Sequence, residues 1–284
     1  MTDIKTSHQK ISHELSINTD LVRQILTGFV RTEITRTGLT RAVIGLSGGI
    51  DSALSCFLAA AALGSENVLA VRMPYKTSSQ DSLDHAQMVI DATGVQSKTV
   101  EITQMVDPLI AKFPEMDNMR RGNIMARTRM IVLYDQSAAF SGLVVGTGNK
   151  TEILLGYSTL FGDSASALNP LGDLYKTQVR QLSRAMGVPA AVVTKPPSAD
   201  LWIGQTDEHE LGFTYEEVDQ LLYLLVDHRY TPDECIEAGY ETKFVQAVVN
   251  RIRRNQFKRV MPLIAKVSNR TIGYDFLYLR DWGT

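Results

Sequence analysis

The sequence predicts an α/β fold, a Rossmann-like, doubly wound parallel sheet with extra helices at both ends of the chain. Three observations support this prediction. Short apolar runs suited to buried strands alternate with helical segments through the first half of the chain. A glycine-rich turn follows the first of these runs, at the position where open parallel sheets bind ligands. From residue 176 onward the pattern is mostly helical.

The first helix is predicted over residues 20–37, because Leu21, Ile25, Phe29 and Val30 recur at helical spacing. The elements that follow are a strand over 41–46, a helix that starts in the glycine-rich turn, a strand over 66–74, a helix over 81–92, a strand over 98–102, a helix over 119–140 and a strand over 142–147. Strands and helices that alternate in this way form parallel βαβ units.

Two later segments are distinctive. Residues 197–214 form a long irregular stretch, and loops of this length are usually functional or disordered. Trp202 and Phe213 within the stretch argue against disorder. The tail over 271–284 is rich in aromatic residues, so we expect it to pack against another surface, such as a second subunit.

The composition excludes several classes of protein. The chain has 284 residues, 44% of them hydrophobic, with a formal charge of −2 and a pI near 6.2. Disordered chains combine low hydrophobicity with high net charge, and nucleic-acid-binding domains are usually strongly basic, so neither class fits. No uncharged apolar run is long enough to cross a membrane, and no secretory signal is visible. Cys56 and Cys235 provide no disulfide framework. We therefore expect a soluble, cytoplasmic protein with one domain over residues 1–284.

The most informative segment is the turn GLSGGIDS over residues 45–52, between the first strand and its helix. Gly48 and Gly49 allow a positive φ and a close approach of the backbone to a ligand. Successive backbone N–H groups and the helix N-terminus can hold an anion such as phosphate. Ser47 and Ser52 add hydroxyl groups, and Asp51 adds a carboxylate suited to Mg²⁺. The turn thus predicts a site for the phosphates of a nucleotide.

Other interpretations of this turn remain open at this point. The turn lacks the lysine of a Walker P-loop and the spacing of a dinucleotide fingerprint. Residues 45–49 match the G-x-S-x-G nucleophile elbow of α/β-hydrolases, with Ser47 as the nucleophile. That elbow normally follows several strands, whereas a single predicted strand precedes Ser47. A tight glycine turn with a helix-capping serine is the purely structural alternative.

The motif Ser-Gly-Gly-Ile-Asp-Ser after a first strand resembles the pyrophosphate loop of the ATP pyrophosphatases, which adenylate a substrate and release pyrophosphate. Four further segments narrow the resemblance to the ammonia-dependent NAD synthetases: GNIMARTRMIVLYDQSA, LVVGTGNKTEILLGYSTLFGD, GDLYKTQVRQL and KPPSADLWIGQTDEHELGFTYEEVD. The similarity covers residues 20–262 and leaves a C-terminal tail over 263–284. It implies a sheet of the adenine nucleotide alpha-hydrolase type. The chain length leaves no room for a glutaminase domain, so free ammonia is the implied nitrogen source.

This resemblance implies an ATP site on residues that the sequence alone would not all single out. They are Gly45, Leu46, Ser47, Gly48, Gly49, Ile50, Asp51, Ser52, Arg72, Gln80, Thr147, Lys176 and Ser198. Arg72 and Gln80 are expected near the adenine or ribose. Lys176 is expected to hold the phosphates and to stabilise the charge that develops as pyrophosphate leaves, although lysines at helix ends are common for other reasons. Ser198 stands where the family often has threonine.

Asp51 and Glu152 are the implied Mg²⁺ ligands. Two carboxylates at neighbouring strand ends suit a cation that also binds substrate phosphates. Glu152 also stands three residues after Asn149, so the pair fits an ordinary helix capping box. Asp51, Lys176 and Asp163 are the expected catalytic residues.

The acceptor substrate is expected to contact Arg127, Asp163 and Lys258. Each of these has a structural alternative, because turn aspartates are often structural and an arginine beside an apolar helix stripe can extend to solvent. The nearby arginines are predicted to lie on a solvated helix face: Arg120, Arg121 and Arg129.

The sequence departs from the family pattern on the acceptor side. Leu160, Ala167 and Phe257 occupy positions where many family members have lysine, aspartate and histidine. The expected function is the amidation of deamido-NAD to NAD with ATP, Mg²⁺ and ammonia, in a homodimer. Two alternatives remain, namely an adenylating ligase with another carboxylate acceptor and a nucleotide-binding module without catalysis.

Overall fold

A four-stranded parallel sheet forms the centre of the protein. The computed structural model describes residues 14–198, 200–202 and 206–276. The strands are β1 (Arg41–Gly45), β2 (Val68–Arg72), β3 (Gln96–Thr99) and β4 (Gly142–Val144), in the order β3-β2-β1-β4. Because β2 and β4 lie on opposite sides of β1, the strand order reverses there, and open sheets bind ligands at such a point. The predicted doubly wound parallel sheet is confirmed.

The described helices surround this sheet and extend beyond its fourth strand. They are α1 (Thr19–Thr35), α2 (Ile50–Leu63), α3 (Gln80–Thr93), α4 (Thr103–Ile110), α5 (Asn118–Phe140), α6 (Lys150–Leu155), α7 (Lys176–Ala185), α8 (Ala190–Thr194), α9 (Asp207–Leu211), α10 (Tyr215–Leu222), α11 (Pro232–Glu237) and α12 (Thr242–Arg254). Short 3₁₀ turns occupy Ser65–Asn67 and Gln256–Arg259, and a π-helical turn over Tyr223–Asp227 extends α10. No helix in the described part of the chain is long and apolar enough to cross a bilayer.

Helices cover both faces of the sheet. Successive residues of a strand point to opposite faces, so neighbouring residues of β1 lie in different cores. Ala42 and Ile44 of β1 lie in one apolar core, with residues of α1, α2, α3 and α7. Val43 between them lies in a second core, with residues of α4 and α5. A third core joins α6 to the helices α10, α11 and α12 around the buried rings of Tyr175 and Tyr215. This third core packs α6 against the C-terminal helices, whereas the apolar residues of α7 belong to the first core.

The predicted first helix is confirmed, but of the four apolar positions on which the prediction was based, Val30 alone is fully buried. Leu21 and Ile25 are 53% and 57% exposed, and Phe29 is exposed as well, whereas Val30 and Ile34 are fully buried. The core contacts come instead from a neighbouring stripe that includes the partly buried Val22 and Leu26. The helix is apolar on more than one side, so spacing alone could not identify the side that packs.

Two other predicted elements differ from the structure, and a third cannot be compared with it. β3 ends at Thr99, before most of the predicted strand over 98–102, and all of its side chains are exposed. The predicted irregular stretch contains α9, which begins at Asp207. The tail prediction lies largely outside the described residues, because the structure describes 271–276 and none of the residues after them.

Candidate active site

A cavity of about 720 Å³ opens at the carboxyl ends of the strands, and most of the predicted site residues line it. The lining members of the predicted set are Gly45, Leu46, Ser47, Gly49, Ile50, Asp51, Ser52, Arg72, Thr147, Glu152, Asp163, Lys176, Ser198 and Lys258. Ligand pockets typically have volumes of roughly 300–1,000 Å³. The cavity is therefore large enough for a nucleotide-sized ligand.

The glycine-rich turn forms one wall of this cavity. Gly48 has a φ of 79°, and a Cβ there would lie 2.1 Å from the carbonyl oxygen of Ser82 at the start of α3. Glycine is therefore required by backbone conformation and by close packing. Ser47 Oγ and Ser52 Oγ are 3.1 Å apart, and the N–H of Gly49 donates to Ser47 Oγ. Helix α2 begins within this turn at Ile50, and its first residues line the cavity, so the free N–H groups of its first turn face the cavity.

The hydrolase interpretation of the turn finds no support in this geometry. A serine nucleophile needs a neighbouring base, usually histidine. Among the described residues, those that line the cavity include no histidine. Ser47 instead bonds to other groups of its own turn.

Lys176 connects the two predicted metal ligands. Its Nζ lies 2.6 Å from Asp51 Oδ2 and 3.1 Å from Glu152 Oε1. Only 2% of the lysine is exposed, and its ammonium group also lies 5.0 Å from the centre of the Tyr215 ring. One cation and two carboxylates from α2, α6 and α7 thus meet at the edge of the cavity beside the phosphate turn.

The pKa values of this cluster reflect its burial. Burial raises the pKa of Glu152 above its ordinary value, against the opposing effect of Lys176. Burial would lower the pKa of Lys176, but the facing carboxylates of Asp51 and Glu152 raise it above its ordinary value. The lysine is therefore a permanent positive charge at the pH of the cell.

The contacts of Asn149 show that Glu152 can be both a helix-capping residue and a metal ligand. Asn149 and Glu152 form the predicted capping box at the start of α6. The Asn149 side-chain amide also donates to Asp51 Oδ1 over 2.9 Å. The cap holds Glu152 in the first turn of α6, and the amide fixes the aspartate that faces it. A capping box therefore builds this part of the site.

A buried aspartate links the two short helices behind the cluster. Asp219 of α10 is fully buried, accepts a hydrogen bond from Thr151 Oγ1 at 2.5 Å, and accepts another from the Thr177 N–H at 2.8 Å. Thr151 Oγ1 in turn accepts from the Lys176 N–H at 3.0 Å. These bonds set the spacing between the helix that carries Glu152 and the helix that carries Lys176. Burial raises the pKa of Asp219 to about 6.

Several polar residues that line the cavity were not predicted, and two sets of them lie in or beside the long irregular stretch. Asp200 Oδ2 accepts from the Ser79 N–H at 3.1 Å and from Ser82 Oγ at 2.9 Å, while Lys195 Nζ donates to Ser82 Oγ at 2.8 Å. These contacts fasten the segment to the start of α3. The length of the stretch was the signal for a functional loop, but nothing in the sequence indicated its partners.

The second unpredicted set lies at the start of α9. Asp207 is buried and accepts hydrogen bonds from the hydroxyl groups of Tyr157 and Tyr215, at 3.1 and 3.2 Å. Burial raises the pKa of Asp207, although Lys176 lowers it. Tyr157 Oη also bonds to Glu210 over 2.6 Å. This side of the cavity is acidic.

The predicted acceptor residues Asp163 and Lys258 share one region of the cavity. Asp163 accepts the Thr159 N–H at 2.7 Å, and its pKa is raised because protein atoms surround it, although the side chain is open to the cavity. Lys258 Nζ donates to the carbonyl oxygens of Gly156 and Ser158 at 2.7 and 2.6 Å. Arg251 lines the same region and stacks over the ring of Tyr157.

Three predicted site residues do not line this cavity. Gly48 is turned toward α3, and Gln80 is exposed and bonds to Asp84. Arg127 is exposed, donates to the Leu160 carbonyl oxygen at 3.3 Å, and lines a smaller cavity of about 270 Å³. Asn123 lines both cavities, so the smaller one adjoins the acceptor region.

The donor set fits a magnesium ion. Within the described ranges, no three histidine, cysteine or acidic residues form a ready metal cluster. Asp51 and Glu152 provide two carboxylates that already share one cation, the Lys176 ammonium group. Mg²⁺ commonly binds one or two carboxylates and completes its shell with water and substrate phosphates. These two residues would hold it together with a bound nucleotide.

Comparison with known proteins gives consistent matches. A family model described as NAD synthase matches residues 22–262. The NH(3)-dependent NAD(+) synthetase of Trichlorobacter lovleyi is 60% identical over 95% of this chain and 98% of its own length. Among solved structures, an NH3-dependent NAD synthetase from Campylobacter jejuni is 32% identical with a TM-score of 0.75, over 88% of this chain and 100% of the other. An NMN synthetase from Francisella tularensis is 30% identical with a TM-score of 0.79, over 88% and 99% of the two chains.

Proposed function

The chain belongs to the NAD synthase family, and from that premise we propose that it converts deamido-NAD to NAD with ATP and free ammonia. The observation that carries the proposal is the meeting of Asp51, Glu152 and Lys176 beside the glycine-rich turn. This arrangement suits adenylation of a carboxylate, since it can hold a triphosphate and stabilise the pyrophosphate that leaves. A free carboxylate is a poor electrophile, and adenylation gives it a good leaving group.

The ATP half of the reaction uses the turn and the lysine. The N–H groups of the turn and of the first turn of α2 hold phosphate oxygens. The nicotinate carboxylate attacks the α-phosphorus, an O–P bond forms, and the bond to the β-phosphate oxygen breaks with its electron pair going to pyrophosphate. Lys176 neutralises the charge that develops on this leaving group.

Asp51 and Glu152 are the residues that would hold Mg²⁺. When bound, the ion supplies charge neutralisation and a fixed geometry for the phosphates. Asn149 orients Asp51, and the capping box orients Glu152, so both carboxylates are held in place before any ligand arrives. Their preorganisation is what the protein contributes to this step.

The acceptor half uses the opposite side of the cavity. Asp163 is the carboxylate that would take a proton from ammonium as ammonia attacks the acyl-adenylate, giving NAD and AMP. Arg127 and Lys258 would bind the dinucleotide, whose distal half would reach the smaller cavity across Asn123. The three positions that depart from the family pattern, Leu160, Ala167 and Phe257, line neither cavity, and Leu160 meets a predicted acceptor residue only through the carbonyl oxygen that accepts from Arg127.

We infer a homodimer from the surface. The stripe of Leu21, Ile25 and Phe29 on α1 is exposed along one face. Exposed apolar faces of this kind mark interaction sites, and Met119 and Ile131 of α5 are exposed as well. We also infer a cytoplasmic location, because ATP is a co-substrate and both cysteines are free thiols.

The decisive experiment supplies ATP, Mg²⁺, ammonium and deamido-NAD, and measures NAD and AMP. Formation of NAD and AMP in equal amounts is expected, with little activity when glutamine replaces ammonium. A second arm replaces deamido-NAD by nicotinate mononucleotide, because one structural relative is an NMN synthetase and the acceptor positions depart from the family pattern. If AMP formed only with the mononucleotide, the proposed acceptor would be wrong. Nucleotide binding without AMP release would instead indicate a binding module.

A further inference from the structure

Arg129 is a cation in the cavity that the reaction described above does not use. It lies on α5 and lines the large cavity. Its Nε donates to the carbonyl oxygen of Met73 at 3.1 Å, and this is its one hydrogen bond to the described residues. The two terminal nitrogens of the guanidinium group therefore have no partner among the residues that the structure describes.

The guanidinium group of Arg129 is partly buried, and its two terminal nitrogens are available to a ligand in the cavity. Charged groups taken out of water need compensating charge or hydrogen bonds. Burial lowers the pKa of Arg129, while Asp200 and Asp163 raise it. Neither carboxylate comes within ion-pair distance of it in the structure. A bound anion would provide the missing hydrogen bonds, and arginine is well suited to bind phosphate through two parallel bonds.

The position of Arg129 in the cavity indicates which substrate phosphate it would bind. Met73 follows β2, and its Cε lies 3.2 Å from where a Cβ of Gly45 would stand, so Arg129 is anchored next to the phosphate turn. The two carboxylates that raise the pKa of Arg129 lie in different halves of the cavity. Asp200 belongs to the segment fastened to α3, on the ATP side, whereas Asp163 belongs to the acceptor side. Arg129 therefore faces the junction of the two halves.

We propose that Arg129 binds the α-phosphate of ATP, the group at which the two substrates react and which becomes the phosphate of the acyl-adenylate and then of AMP. This inference rests on the proposed function and deepens it by one catalytic residue. Two N–H groups would donate to the non-bridging oxygens of this phosphate as the carboxylate oxygen adds to phosphorus and pyrophosphate leaves. The guanidinium group would neutralise charge at the reacting centre, while Lys176 acts on the leaving group.

The neighbouring arginine does not compete for this role. Arg127 is two residues away on the same helix, which turns it by about 200° around the axis. Its side chain is exposed, bonds to the Leu160 carbonyl oxygen, and lies outside the large cavity. The two arginines therefore serve different regions, with Arg127 toward the distal acceptor and Arg129 toward the reacting phosphate.

The test compares Arg129→Gln, Arg129→Lys and the control Arg184→Gln, which removes the same charge from an exposed position at the end of α7. The first readout is exchange of labelled pyrophosphate into ATP that depends on deamido-NAD, which reports adenylation alone. Arg129→Gln is expected to lower its kcat on the order of 10²-fold or more, the loss typical for one donor to a developing anion. Arg129→Lys should recover part of the rate, because it keeps the charge and loses the paired bonds. Arg184→Gln should match the unmodified protein.

The second readout is the affinity for AMP, measured by calorimetry, with thermal unfolding recorded for every variant. AMP should bind at least about tenfold more weakly to Arg129→Gln, while its unfolding temperature stays close to that of Arg129→Lys. The inference is overturned if Arg129→Gln keeps exchange and AMP affinity within about threefold, or if both variants lose stability and activity equally. If the unmodified protein shows no reaction with deamido-NAD, the proposed function fails, and the AMP affinities still decide the role of Arg129.

Discussion

Replacing Gly48 by alanine should disable the nucleotide site while leaving the fold largely intact. An alanine at a φ of 79° is strained, and a residue forced into such a conformation loses about 1–2 kcal/mol of stability. The added Cβ would also stand 2.1 Å from the Ser82 carbonyl oxygen, where contacts below 3.0 Å are not tolerated. The turn or the start of α3 must therefore move by about an ångström, and a displacement of this size can lower a rate about 10²-fold.

Gly38→Ala provides the matched control. Gly38 has nearly the same backbone conformation, with a φ of 81°, but a Cβ there meets nothing within 4 Å. Urea unfolding should show a loss of stability in both variants, whereas kcat/KM for ATP should fall about 10²-fold in Gly48→Ala alone. If Gly48→Ala kept the ATP kinetics of the unmodified protein, the turn would not be held by its contact with α3. Equal losses of activity in the two variants would show that strain alone is responsible.

Three further predictions concern the metal ligands, the buried aspartate and the surface. Asp51→Asn should nearly abolish pyrophosphate release measured by a coupled assay, and activity like that of the unmodified protein would refute the ligand assignment. Burial raises the pKa of Asp219 from 3.8 to about 6, so the folded protein binds this proton more tightly than the unfolded chain does. The proton therefore stabilises the folded state at low pH, and this stabilisation is lost as the pH rises through about 6. The stability of the unmodified protein relative to Asp219→Asn should therefore fall by about 3 kcal/mol between pH 4 and 7 in urea titrations, and a pH-independent difference would contradict the argument. Ile25→Glu with Phe29→Glu should convert the proposed homodimer to monomers in sedimentation experiments, and an unchanged sedimentation coefficient would remove α1 from the proposed interface.

The phosphate turn and Asp51 could be predicted from the residues alone, because they directly follow a strand, whereas the role of Glu152 as a ligand came from the family resemblance. Because β1 and β4 are parallel neighbours, the segments that follow them bring Asp51 and Glu152 to the same edge of the sheet. Lys176 needed the family resemblance, since nothing near it in the chain indicates that its ammonium group faces both carboxylates. Asp219 carried no signal at all, because its role depends on how a distant helix packs behind α6 and α7.

Arg129 shows a different limit of prediction. The apolar residues Ile124 and Ile131 suggested a stripe beside Arg127, with Arg129 on the solvated face. The structure buries Met125 and Val132 instead, while Ile131 is 62% exposed. Met125, Arg129 and Val132 have the spacing i, i+4, i+7, which places them on one helix face. A helix with apolar residues on several sides does not reveal from its sequence which side faces the protein, and the prediction for Arg129 was therefore wrong.

The three charged residues of the cluster are far apart in the sequence, and this separation affects when they meet during folding. Lys176 lies 125 residues after Asp51, and Glu152 belongs to a helix between them. Contacts between such distant residues form late, because a long loop must close before they can add stability. A chain emerging from the ribosome would contain the complete phosphate turn well before the lysine that neutralises its aspartate. Recovery of AMP formation after dilution from denaturant should therefore lag behind the recovery of helical signal, so that catalysis reports the last stage of folding.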